Sequence, residues 1–138
     1  MFSDLGTARL SRGEERRDRG VTGTVVIPKD VASFTGRTLE IRLYKIHPKL
    51  ADAPATLVEK LEAKDFAHTK GTETKKDIAL GANEKLDPRL RYYMTLFVLD
   101  GNVRTHMGEA DHAKNNLCNV LTEGQPRKIV VTFKELKR

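Results

Sequence analysis

In Arg37-Thr38-Leu39-Glu40-Ile41-Arg42-Leu43-Tyr44-Lys45-Ile46, the apolar Leu39, Ile41 and Leu43 alternate with Glu40, Arg42 and Tyr44. A period of two sends successive side chains to opposite faces, so this stretch reads as a strand with one face in the core and one in water. The neighbouring segments carry related patterns. Val21-Thr22-Gly23-Thr24-Val25-Val26-Ile27 is β-branched nearly throughout and stops at Pro28-Lys29-Asp30, where proline cannot donate to a ladder. Lys75 to Leu80 gives a short strand with Ile78 and Leu80 inward. Arg91 to Leu99 is apolar on both parities, which predicts a central strand covered on both faces. Asp100-Gly101 then predicts a tight turn into a short return strand around Val103. Ile129, Val131 and Phe133 mark a last strand. Such short strands, spaced at hairpin-like intervals, predict an all-β fold: an antiparallel β-sandwich of about seven strands.

One segment has two readings. Residues 52–66 could form a helix capped by Asp52, with Pro54 in its first turn and Leu57, Val58 and Leu61 on one face. The strands on either side favour a strand there instead, since tertiary context overrides weak helix propensity.

Composition narrows the function classes. The 138 residues carry 25 Lys and Arg against 19 Asp and Glu, a net charge of +6, but only 6% are aromatic and none is Trp. No aromatic residue sits in a repeated basic pattern of the kind that stacks bases, so no nucleic-acid partner is expected. The single Cys118 excludes an internal disulfide, a C-x-x-C redox pair and a four-thiolate zinc site. No stretch approaches the roughly 18–20 apolar residues of a membrane-spanning helix. Residues 1–20 hold five arginines, four carboxylates and three glycines with no apolar period, and read as a flexible basic arm preceding a β-sandwich domain over residues 21–138. The arm has no signal-peptide core. Two expectations follow: a cytoplasmic protein, or one whose leader was removed, replaced or lost through a misplaced start.

Three elements in order carry a family resemblance: Leu50-Ala51-Asp52-Ala53-Pro54-Ala55; Leu86-Asp87-Pro88-Arg89 with Tyr92 and Asp100-Gly101; and Val120-Leu121-Thr122-Glu123-Gly124-Gln125-Pro126. Over residues 21–136 the chain resembles the YbaY-type lipoproteins, which include the YscW-like pilot proteins of type III secretion. The resemblance implies a small β-sandwich, a strand at residues 56–66, a place in the bacterial cell envelope or periplasm, and protein binding without chemistry or cofactor. The lipid-modified cysteine near the mature N-terminus of that family has no counterpart here, because the only cysteine is Cys118.

Candidate site residues follow from both readings. Asp52 and Asp87, each close to a proline, can accept backbone N–H bonds at turns. Asp52 is a candidate partner contact, since loops on a rigid sheet carry recognition, and Tyr92, Tyr93 or the basic arm are candidate contacts for a module built into a larger assembly. Between His106 and Cys118, two imidazoles, two carboxylates, a thioether and a thiol accumulate, so His106, His112 and Cys118, with Met107, form an alternative zinc or copper set. Their spacing matches no metal motif, and a solvated polar loop is the competing reading. Cys118 between Leu117 and Val120 reads as a small buried residue, and His47 and His68 as exposed imidazoles at strand ends. No nucleophile elbow, phosphate loop or dinucleotide turn is present, so no enzyme is expected. A non-catalytic envelope module of chaperone type, recognising a protein segment through a sheet edge or groove, is the expected function. A metal-binding protein and a structural subunit of a larger assembly are the alternatives.

Overall fold

The computed structural model describes residues 20–50, 53–113 and 117–136. Residues 1–19 of the arm and Asp52 lie outside them. Eight strands follow in order: β1 (Val21–Ile27), β2 (Phe34–Ile46), β3 (Thr56–His68), β4 (Thr74–Leu80), β5 (Arg91–Asp100), β6 (Val103–Ala110), β7 (Cys118–Val120) and β8 (Lys128–Glu135), with one 3-10 turn at Asp111–Ala113. The all-β expectation holds, and every segment read as a strand is one. The short β7 is additional.

The strands form a single sheet in the order β3-β2-β5-β6-β8-β1-β4, with β7 added beside β5. The layering therefore comes from one sheet curled on itself into a nearly closed barrel, where a sandwich would have two separate sheets. Bulges make the curl possible, because an extra residue in one strand bends it and increases its twist. Register shifts fall between Phe34 and Arg37, between Arg37 and Leu39, and between Leu43 and Tyr44 on β2, and between Val98 and Leu99 on β5. One pairing departs from the antiparallel expectation: β1 and β8 run parallel, from Thr22 opposite Lys128 to Val26 opposite Thr132.

Residues 56–68 are strand because β2 offers them a ladder and a core. Leu61 lies opposite Ile41 and Ala63 opposite Leu39, and Phe66 is buried. A local helix would gain propensity but leave that edge of β2 unpaired. The shared interior is filled from every long strand, with Ile27, Leu39, Ile41, Tyr92, Leu96 and Phe133 among its largest fully buried side chains.

On β5, Tyr92, Met94, Leu96 and Val98 are buried, whereas Tyr93, Thr95, Phe97 and Leu99 are half-buried. The expected double cover is thus only partial. The outer face is screened by neighbouring side chains: Tyr44 stacks on Tyr93 with ring centroids 5.2 Å apart, and the Arg104 guanidinium lies 4.0 Å from the Phe97 ring. Gly101 makes the turn after β5 with φ +62, a conformation that favours glycine. Gly108 serves packing instead. A Cβ there would lie 2.6 Å from Val131 Cγ1 and 3.0 Å from Leu96 Cβ. No helix among the described residues is long and apolar enough to cross a membrane.

Candidate functional site

The two ends of the sheet order, β3 and β4, face each other across the barrel without a backbone ladder. Side chains hold this seam. At one end the Glu59 carboxylate accepts the Gly81 N–H at 2.8 Å. At the other, His68 Nε2 donates to the Val31 carbonyl at 3.1 Å, which leaves Nδ1 to accept the Thr74 hydroxyl at 2.7 Å. Two backbone donors reinforce that end: Gly71 N–H to the Lys29 carbonyl, 2.7 Å, and Lys70 N–H to Ser33 Oγ, 2.8 Å. Unladdered edges expose main-chain donors and acceptors that another extended chain could satisfy. Charged side chains guard them here, with Lys60, Glu62 and Lys64 exposed on β3 and Lys75 and Lys76 on β4.

A second concavity opens where β5 changes partner. Its pairing with β6 reaches Phe97 opposite Met107, and its pairing with β7 begins at Met94 opposite Cys118. The cleft between them, of about 400 Å³, is lined by Leu96, Met107, Ala110, Leu117 and Cys118 among others. Leu117 is 55% exposed at its lip.

The residues singled out from sequence fare differently. Tyr92 is fully buried. Its hydroxyl accepts the Asp87 N–H at 3.2 Å and donates at 3.0 Å to Glu84 Oε2, which also accepts from Lys45 Nζ at 2.9 Å. Burial raises the Tyr92 phenol pKa, and the hydrogen bond to Glu84 raises that of Lys45. Tyr92 is therefore a corner post, with no exposed ring to offer a partner. Tyr93 does reach the outer face, beside Tyr44. Asp87 holds its turn as expected: its carboxylate accepts from the Arg89 side chain at 2.8 and 3.0 Å and from the Arg89 N–H at 2.9 Å. The Arg89 side chain, then its N–H, pull the Asp87 carboxyl down to about 2.

The alternative metal set is not assembled. His106 belongs to β6, not to a loop, and is 2% exposed. It stands opposite Val98 and Cys118 opposite Met94. Those partners stand four positions apart on β5, about 13 Å of strand. His112 lies outside the barrel, bonded through Nε2 to the Asn119 carbonyl at 2.9 Å. Among the described residues no group of three or more His, Cys, Asp or Glu side chains is placed to hold a metal ion. Cys118 is buried, as its apolar neighbours implied, and burial pushes its thiol up to about 11. His68, read as exposed, is 3% exposed. What the sequence reading missed was the seam itself, since which strands end a sheet is not written in either strand.

Comparison with solved structures places this architecture. The fold is similar to that of a secretion pilotin. An alternative pilotin from the type II secretion system of Vibrio cholerae superposes with a TM-score of 0.59 at 16% identity, over 86% of this chain and 96% of that one. At that identity the pilotin likeness is one of fold. No protein-family profile and no curated protein sequence matches the chain.

Proposed function

We propose that this protein is a non-catalytic protein-binding module of chaperone or pilotin type, working in a bacterial cell envelope and akin to the YbaY and YscW lipoproteins. The observation that carries the reading is the likeness of nearly the whole fold to a type II secretion pilotin. The three sequence elements that resemble the YbaY-type family, at residues 50–55, 86–101 and 120–126, support it independently of the fold. The unladdered β3–β4 seam supplies a physical means. A partner segment in extended conformation would gain main-chain hydrogen bonds from the edge, with no need for reactive side chains. Asp52, in the first of those sequence elements and just before β3, and Tyr93 on the outer face are the recognition residues this reading retains.

Site-directed photo-crosslinking in a bacterial host tests it. A crosslinker at Lys60 or Glu62 is expected to capture one defined envelope protein, and a crosslinker at Val130 on β8 is expected to capture none. Purely cytoplasmic fractionation, or equal capture from both places, would overturn the reading.

A further inference from the structure

The barrel rim formed by the start of β2 and the end of β3 buries two imidazoles against one phenyl ring. The Phe34 ring centroid lies 5.0 Å from that of His106 and 5.9 Å from that of His68. The Arg37 guanidinium sits 4.9 Å from the same ring, and Phe66 closes the group at 5.9 Å. We propose that this cluster is an acid-sensitive latch: a proton taken up at His106 loosens the rim and frees the seam between β3 and β4.

The hydrogen bonds fix how the proton arrives. The Thr105 hydroxyl donates to the Val98 carbonyl at 3.2 Å, so at its 2.8 Å contact with His106 Nδ1 it is the acceptor. Neutral His106 therefore carries its proton on Nδ1, and a second proton goes to Nε2. The charged and titratable groups around it come from three other strands: Arg37 on β2, His68 on β3 and Glu135, its register partner on β8. On β6 itself the nearby charge is Arg104, turned to the Phe97 ring. Among the described residues Glu135 is thus the single anion of the set. Burial, then the Arg37 charge, hold the imidazole below its usual range. Burying a charge without a hydrogen-bonded counter-charge is costly, so the rim opens in preference to holding it.

Opening has a defined route. His68 ties the end of β3 to the β1–β2 connection at Val31 and to the start of β4 at Thr74, and it shares Phe34 with His106. Displacement of Phe34 therefore reaches the bonds that close this end of the seam. The latch follows from the arrangement of these side chains, whatever the seam binds.

Hydrogen exchange of the purified full chain between pH 7.5 and 5.0, corrected for the intrinsic pH dependence, reads it directly. Peptides covering residues 31–37 and 66–76 are expected to lose protection as pH falls below about 6.5, by up to tenfold per pH unit for one proton. Peptides of β5 and β8 keep theirs. Loss spread evenly over the sheet, or none at the rim, overturns the proposal. His106→Gln is expected to remove the acid response, and its persistence in a folded variant would also overturn the latch. Should that variant not fold, the wild-type imidazole resonances decide: His106 must titrate below the ordinary midpoint, in step with the rim, and a midpoint at or above it refutes the mechanism.

Discussion

The two rims of this barrel bury polar groups by opposite means. Where β2 ends and β5 begins, three polar side chains meet opposite or complementary ones, Lys45 with Glu84, Tyr92 with Glu84 and the Asp87 N–H, and Arg91 with Glu123 at 2.7 Å, while His47 Nδ1 beside them is buried without a hydrogen-bond partner among the described residues. Where β2 begins and β5 ends, two imidazoles and a guanidinium crowd one phenyl ring, with Glu135 the one carboxylate among the described residues that acts on His106. A buried polar group that is fully satisfied specifies a corner over a wide pH range, whereas one satisfied only when neutral makes its corner conditional on pH.

The largest expected effect tests the satisfied rim. Tyr92→Ala should cost about 3–5 kcal/mol in urea unfolding, as it empties a buried aromatic site and leaves Glu84 and the Asp87 N–H short of a partner. Tyr93→Ala, on the half-buried outer face, should cost about 1 kcal/mol or less. Equal losses would erase the distinction between the faces of β5.

Between the rims, Cys118 reports whether the wall is closed. With its thiol pushed up to about 11 by burial, labelling by a disulfide reagent at pH 8 should be slower in the native protein than in urea by about a hundredfold or more. Comparable rates would show that the cleft above Met94 opens freely.

Thr74→Val probes the conditional rim more gently. It removes the hydroxyl at His68 Nδ1 and should cost about 1 kcal/mol. Tyr92→Phe should cost a similar amount at the opposite rim, but without adding any acid sensitivity.

The smallest effect concerns Asp87. Its carboxyl is held at about 2, against an ordinary 3.8, by Arg89. The folded value is the lower, so the stability it contributes is present above about pH 4 and lost as pH falls toward 2. Asp87→Asn should flatten the acid limb in that window alone, an effect kept modest by solvent. A flattened limb near pH 6 instead would move the acid response away from the imidazoles.

Much of the fold was legible residue by residue. The alternation of Leu39, Ile41 and Leu43 and of Ile129, Val131 and Phe133 places each on the interior, and Asp100-Gly101 makes the turn its composition implied. Residues 56–66 illustrate the limit of a local reading. Leu, Glu, Lys and Ala there are acceptable to a helix, and it is the ladder with β2 that makes them a strand. The candidate site was less legible. Tyr92 and Tyr93 are adjacent in sequence, yet the pleat sends one to a hydrogen-bonded corner and the other to the surface. His106 and Cys118 are close in the chain but lie along different stretches of β5, so the donors that accumulate between residues 106 and 118 never converge.

The sequence by itself determined the extended character of most of the chain and the identity of its inward rows, because side-chain period and turn chemistry are local properties. Only the tertiary structure decided that the strands form one curled sheet, that β1 and β8 run parallel, that β3 and β4 are left facing each other unpaired, and that two histidines share a buried ring. Those outcomes depend on which strands become neighbours. Neighbour choice is set by bulges, twist and the common filling of one interior, which no single segment encodes.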